Sequence, residues 1–398
     1  MKVCLIVDDY MPHSVKVAAK MMHELACEFV SRGHEVTVIT PSSEISNQVD
    51  IGILDGVKVC RFKSGKIKNV GKVKRAINET LLSFYAWISL KSYLQENKHD
   101  MIIYYSPSIF WGGLVGKLKK NWNVPSYLIL RDLFPQWAID QKLIRQGSVL
   151  EKYFRYFEKI NYAVADTIGL MSKKNLEWFK DNVGASANLE VFFNWAANLP
   201  VESNNNYKTT LGIEDKVVYF YGGNIGHAQD MMNIVRLAKN MNPYDKAHFV
   251  LVGAGDEVEL VKSVIEKDNL TNITILPPVG QVQFKQMLAE FDVGLFTLHK
   301  DHSTHNFPGK LLGYMVQSLP ILGSINKGND LKEVVESYEA GLITINGEDK
   351  DLLANAIKLL NEDYRKKIGT NAQKLLNSTF SVEAAVKQVL DKIICTGV

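Results

Sequence analysis

Short apolar runs alternate with amphipathic stretches along almost the whole chain. Val3-Cys4-Leu5-Ile6-Val7 is long enough for one buried strand and stops at Asp8-Asp9. From about Val15, apolar residues recur with the helical period at Ala18, Ala19, Met22, Leu25, Ala26, Phe29 and Val30. Arg32-Gly33-His34 ends that helix, with Gly33 placed as a left-handed cap, and Glu35-Val36-Thr37-Val38-Ile39 starts a second strand. Strand, helix, glycine, strand is a βαβ unit, whose crossover is right-handed and parallel. Further strands are predicted at residues 57–62, 101–105, 126–130, 167–170 and 189–193. The Asn-rich stretch 194–207, with Pro200, reads as a linker.

Beyond it the architecture repeats without the sequence repeating. Strands are predicted at 217–221, 248–252, 272–276, 293–298 and 319–322. Helices are predicted at about 229–240 and 281–290, from 308, and from 349 to the end. The pattern predicts an α/β chain of two doubly wound domains, residues 1–198 and 199–380, with a C-terminal helix at 381–398 returning to the first. The length of 398 residues also exceeds what one core usually supports. Two such domains facing each other would gather their strand ends around one cleft.

Composition adds limits. With 46% hydrophobic and 22% charged residues, this is an ordinary globular protein. Its 46 Lys+Arg against 43 Asp+Glu are too evenly balanced to imply a nucleic-acid partner. Cys4, Cys27, Cys60 and Cys395 stand far apart, without a C-x-x-C and with no histidine counted at ligand spacing. Reduced thiols in a cytoplasmic compartment and no structural zinc are therefore expected. The first apolar run is too short for a secretory signal, and no run reaches the ~20 residues of a spanning helix.

Residues 58–75 nevertheless hold eight basic residues and no acidic one: Lys58, Arg61, Lys63, Lys66, Lys68, Lys72, Lys74 and Arg75. The aromatic stretch 81–90 follows directly. One reading is peripheral docking on the inner face of the plasma membrane, each cation adding ~1 kcal/mol near an anionic leaflet. The other is a solvated loop before a core helix that buries Trp87.

Candidate chemistry collects where strands end. The run at 293–298 empties into a loop with His299, Lys300, Asp301, His302 and His305, followed by Pro308-Gly309-Lys310. Pro308 suits a first helical turn, Gly309 permits close approach of a ligand, and Lys310 adds a full charge. Gly222-Gly223-Asn224-Ile225-Gly226-His227 follows the strand at 217–221, and amides in such a turn can wrap a phosphate. In the first half, Asp9, His13, Ser14 and Lys16 follow the opening strand, and Arg131-Asp132 follows the strand at 126–130. These positions suit acceptor-binding or catalytic residues, although turn formers and a surface ion pair explain them equally well. The one D-x-D, Asp349-Lys350-Asp351, opens a helix, where acidic residues complement the dipole, so no metal is expected there.

Several phrases, in order, resemble a known family over nearly the whole chain. Arg32-Gly33-His34-Glu35-Val36-Thr37-Val38-Ile39, Gly253-Ala254-Gly255-Asp256, Asp292-Val293-Gly294-Leu295 and the helix at 310–320 resemble retaining GT-B glycosyltransferases of the glycogen-synthase-like class, family 4. More narrowly, three segments resemble bacterial O-antigen N-acetyl-L-fucosamine transferases. They are Asp8-Asp9-Tyr10-Met11-Pro12-His13-Ser14-Val15-Lys16, Arg131-Asp132-Leu133-Phe134-Pro135 and Phe307-Pro308-Gly309-Lys310-Leu311-Leu312-Gly313-Tyr314-Met315.

That resemblance implies a UDP-N-acetyl-L-fucosamine donor and an undecaprenyl-diphosphate-linked GlcNAc acceptor. On this reading Asp132 and Arg131 are the catalytic pair, and Asp9, His13, Ser14 and Lys16 meet the acceptor. Gly223, Asn224, Gly226, His227, Leu276, His305, Pro308, Gly309 and Lys310 hold the nucleotide sugar, with no metal and no cofactor. Two departures stand out. The class carries two glutamates eight positions apart, where this chain has His305 and Gly313, and an Arg and a Lys near the places of Asn224 and His227. A UDP-sugar 2-epimerase of the same fold, or a catalytically silent sugar-nucleotide or lipid-binding subunit, are the alternatives.

Overall fold

The computed structural model describes residues 1–14, 16–67, 70–184, 186–203, 206–301 and 307–395. The chain forms two units, one of residues Met1–Phe193 together with the last helix, the other of Asn194–Ser381.

The first unit runs β1 (Lys2–Ile6), α1 (Val17–Ser31), β2 (Glu35–Ser42), β3 (Val49–Leu54), β4 (Val57–Lys63), α2 (Lys72–Thr80), α3 (Leu82–Glu96), β5 (Met101–Ser106), α4 (Gly112–Trp122), β6 (Ser126–Leu130), α5 (Gln136–Asp140), α6 (Val149–Ala163), β7 (Thr167–Leu170), α7 (Lys173–Asn182) and β8 (Asn188–Val191). Its strands form one sheet in the order β3-β4-β2-β1-β5-β6-β7-β8. All neighbours are parallel except β3 and β4. Strands β5 and β6 are buried along their whole length, which is why they read as unbroken apolar runs rather than as alternation.

The antiparallel edge strand β3 escaped the sequence pattern because its residues are half-buried or exposed and include Asp50 and Gly52. A two-residue turn joins it to β4. Asp55 (φ 47°) and Gly56 (φ 79°) are both left-handed, the type I′ geometry that Asp-Gly favours. Helix α1 begins at Val17, later than the periodicity suggested, after an extended Lys16; Val15 lies outside the described residues. Gly33 caps the chain beyond it at φ 80°.

The second unit continues with α8 (Tyr207–Leu211), β9 (Val217–Gly222), α9 (Met231–Met241), β10 (Ala247–Val252), α10 (Val258–Lys267), β11 (Ile273–Leu276), α11 (Gln281–Glu290), β12 (Val293–Thr297), α12 (Lys310–Val316), β13 (Ile321–Ile325), α13 (Leu331–Ser337), β14 (Gly341–Ile345), α14 (Asp349–Lys358) and α15 (Glu362–Leu375). Its sheet, β11-β10-β9-β12-β13-β14, is parallel throughout. Trp195, inside the stretch read as a linker, is buried here. Ala196 bridges to Ser381, so the chain enters and leaves this unit along adjacent paths.

The last helix, α16 (Val382–Cys395), packs in the first unit. Gln388 donates to the Val191 carbonyl (2.8 Å) and Arg32 to that of Glu383 (2.8 Å).

The basic run divides. Arg61 lies inside β4 and is buried, donating to the Met11 carbonyl at 2.7 Å, so it cannot face a membrane. Lys72, Lys74 and Arg75 sit on α2, a helix with no buried residue. In α3, Leu82, Ala86, Leu90 and Leu94 make a buried stripe while Phe84 and Ile88 face outward. Among the described residues no helix is long and apolar enough to cross a membrane.

Candidate functional site

In the second unit, β9 delivers Tyr221 and then the glycine turn, and α12 delivers Lys310. The Lys310 ammonium rests over the Tyr221 ring, 3.6 Å from its centroid. The Tyr221 hydroxyl donates to the Asn224 carbonyl (2.6 Å), so one aromatic side chain braces both parts. Gly223 (φ 136°) lies directly beneath the ammonium, since a Cβ there would come 3.4 Å from Lys310 Nζ. The structure thus brings together the turn at 222–227 and Lys310, which are more than eighty residues apart in sequence. Burial pushes the Lys310 ammonium down to about 7, and the attraction of the Tyr221 ring, ~0.5–2 kcal/mol, returns only part of that.

Not every amide of the turn is available. Gly223 N–H donates to the Val252 carbonyl (2.9 Å) and Ile225 N–H to that of Ala254 (2.9 Å). The amides of Asn224 and Gly226 have no partner among the described residues, so two of the four from 223 to 226 are open to a ligand. Gly253 and Gly255 explain the rest. A Cβ on Gly253 would overlap the Gly223 carbonyl, and one on Gly255 that of Ile225. These glycines are there for backbone-on-backbone packing of the two turns.

Helix α12 has only seven residues, and its first amides are partly used, Leu311 N–H donating to the Pro308 carbonyl at 3.1 Å. Its dipole is correspondingly small. Leu276 ends β11 and accepts from Gly253 N–H (3.1 Å). Gly313 sits against α11, where a Cβ would come 3.1 Å from Leu288 Cδ1. His305 and His302 lie outside the described residues. His299 donates its backbone N–H to the Ala228 carbonyl (3.0 Å), and its ring packs on that of His227, centroids 4.8 Å apart. His227 in turn lies 3.5 Å from Glu257.

In the first unit, Asp9, His13, Ser14 and Lys16 line one cleft of about 390 Å³ with Tyr10, Arg61 and Lys66. Ser14 donates to Asp9 at 2.6 Å, and the buried Arg61 beneath the cleft adds a positive charge that its place in the basic run had concealed. Arg131 departs from its expected role. It is buried at the end of β6, donating to the Phe192 carbonyl and, at 3.0 Å, to that of Phe193, with its guanidinium over the Phe192 ring. Burial lowers it to about 10. A guanidinium buried and committed to two backbone carbonyls ties β6 to the chain beyond β8, a structural position rather than that of a catalytic partner for Asp132. Asp132 is exposed, yet protein around its carboxyl raises its pKa, and the neighbouring Arg131 offsets part of the rise.

Asp349 and Asp351 occupy the first turn of α14, and Asp349 accepts from Arg236 at 3.1 Å.

Comparison with known proteins agrees with this layout. The family model Glycosyltransferase Family 4 matches residues 18–195, and Glycosyl transferases group 1 matches residues 203–375. A probable glycosyltransferase, WbjE of Pseudomonas aeruginosa, is 24% identical over 221 residues, 54% of this chain and 54% of WbjE. The chain thus spans about half the length of that curated relative. Anabaena HepE, solved in complex with UDP, has a TM-score of 0.65 at 15% identity, over 99% of this chain and 100% of HepE. WaaG, a glycosyltransferase involved in lipopolysaccharide biosynthesis, has a TM-score of 0.61 at 14% identity, over 100% of both chains. At such identities the structural likeness is one of fold. With the family 4 model matching its first half, the group 1 model its second, and two α/β units built on mainly parallel sheets, the chain has the GT-B fold of glycosyltransferases.

Proposed function

We propose that this enzyme moves N-acetyl-L-fucosamine, or a similar deoxy-amino sugar, from UDP to GlcNAc on undecaprenyl diphosphate, in O-antigen or other surface-polysaccharide synthesis. Transfer is with retention and without metal. The observation that carries the reading is Lys310 lying over Tyr221 and against Gly223. As the glycosidic bond breaks, negative charge grows on the diphosphate. A preorganised cation and two amides at that point stabilise it without an added ion. His227, His299 and Pro308 border this position on the reading, and Leu276 is assigned to the base. The UDP held by HepE and the lipopolysaccharide role of WaaG support donor class and pathway.

On the first unit, Lys16, His13 and Arg61 suit the acceptor's diphosphate, Asp9 and Ser14 its sugar. Asp132, its carboxyl pKa raised, serves as general base or stabiliser of the developing sugar cation. Radiolabelled UDP-sugars offered with a short-chain lipid-diphosphate GlcNAc test this. A disaccharide product, formed at the same rate when magnesium is added to chelator-treated enzyme, is the expected result. Epimerised UDP-sugar without transfer, or no turnover with any donor, would instead support the epimerase or the silent subunit.

Membrane contact belongs to the same proposal. Val73 (76% exposed) and Ile77 (55%) on α2 stand among Lys72, Lys74 and Arg75, and the Thr80 and Tyr153 hydroxyls bond at 2.5 Å, tying α2 to α6 with its exposed Tyr156. Vesicles rich in anionic lipid should co-sediment with the enzyme. The pair Val73→Glu and Ile77→Glu should abolish this without unfolding it, and equal binding to neutral vesicles would count against an electrostatic component.

A further inference from the structure

Helix α1 carries a cluster that glycosyl transfer does not use. His23 and Cys27 stand one turn apart, so their side chains share a face. This i, i+4 spacing corrects the expectation that no histidine stands at ligand distance from a cysteine. Asp55 reaches them from the β3–β4 turn. His23 Nε2 is 2.9 Å from Asp55 Oδ2 and 3.5 Å from Cys27 Sγ, and the three donor atoms lie within 4.8 Å of one another.

Tetrahedral zinc holds nitrogen at ~2.0–2.1 Å, oxygen at ~2.0–2.2 Å and sulfur at ~2.3 Å, which sets its ligands roughly 3.3–3.6 Å apart. The observed triangle therefore closes around an ion with small side-chain shifts. One thiolate, one imidazole and one carboxylate form a donor set for zinc rather than for magnesium or calcium, which take oxygens. The outer partner is also in place. His23 Nδ1 lies 2.8 Å from the buried Tyr10 hydroxyl, which can accept its N–H and leave Nε2 bare for a metal. Asp55, with 70% of its side chain exposed, opens the cluster to solvent.

We propose that His23, Cys27 and Asp55 bind a zinc ion, with water in a fourth position. Binding displaces the Cys27 thiol proton to solvent. The ion clamps the β3–β4 hairpin to α1, and through His23 it reaches Tyr10, which lines the acceptor cleft. Its role is to hold that cleft's wall, and the proposal stands whatever sugar is transferred.

Cobalt is the probe, titrated into the chelator-treated full-length chain in a Cys395→Ser background. One ion per chain should bind with a thiolate-to-cobalt charge-transfer band, and zinc should displace it. Cys27→Ser should lose the band and weaken zinc by about 100-fold or more, and Tyr10→Phe should weaken it by ~10–100-fold. Asp55→Asn, which keeps a left-handed turn, should fold with an unchanged circular dichroism spectrum and bind zinc about tenfold more weakly. Absence of the band in the parent chain, or parental zinc affinity in Asp55→Asn or Cys27→Ser, would overturn the proposal.

Discussion

Lys310→Ala is expected to lower the rate of sugar transfer by about 100-fold or more, with far-UV circular dichroism and melting temperature close to those of the parent. The magnitude follows from where the ammonium sits. It is pressed on the Tyr221 ring, over a turn whose remaining N–H donors are Asn224 and Gly226. In so desolvated a place one charge is worth far more than on an open surface. The loss should appear chiefly in kcat, because charge grows on the diphosphate as the bond breaks. Lys310→Arg should recover little. The planar guanidinium is larger than an ammonium, and the floor beneath it is backbone at Gly223. Transfer by Lys310→Ala at the parental rate would remove the charge-stabilising role assigned to this residue.

Gly253→Ala should be the most damaging small substitution in the second unit. One methyl group there meets the Gly223 carbonyl, and no flexible side chain stands between to give way. Overpacking of this kind costs about 1–3 kcal/mol, equivalent to a drop in Tm of roughly 2–12 °C for a unit of this size. The damage should also be functional. Displacing Gly223 moves the floor beneath Lys310, and UDP affinity should fall by about tenfold or more. Gly52→Ala, on an exposed edge strand with open space around it, is the control and should leave both quantities unchanged. Calorimetric melts and UDP titrations of the two variants separate a packing role for Gly253 from a direct ligand contact. A variant of normal stability that has lost UDP would point to the latter.

The parallel strands were legible in the sequence because sheets covered on both faces require uninterrupted apolar runs, and β1, β5, β9 and β12 supply them. Gly33 as a cap and the glycine turn after β9 were legible for a local reason, since both depend on the chain's own conformation. What stayed hidden depends on contacts between distant segments. Arg131 looks like a surface cation until Phe192 and Phe193 close over it from sixty residues away. Arg61 looks like one of a basic run until the pleat of β4 turns it inward. Tyr221 reads as one more aromatic strand residue, and only Lys310 above it shows that it supports a site. His23 and Cys27 are four residues apart, but what makes them a cluster is Asp55, which joins them only through the Asp-Gly hairpin, whose exposed strand carries too little apolar signal to be read.

The central claim is that Lys310 meets the diphosphate, and protons report on it directly. Burial holds the free lysine at about 7, well below its value in an unfolded chain. The unfolded state therefore binds the extra proton between that pH and the ordinary lysine value, and the unliganded enzyme gains stability as pH rises through this window. A bound diphosphate restores the charged form, so UDP affinity should fall as pH rises above 7. Titration calorimetry of UDP at pH 8, in two buffers of different ionisation enthalpy, measures the proton taken up. At that pH the second ionisation of the phosphate, near ~6, is already complete. Net proton uptake on binding, abolished in Lys310→Met, is the predicted result. Tight binding of UDP with no proton uptake, or the same uptake in Lys310→Met, would contradict it.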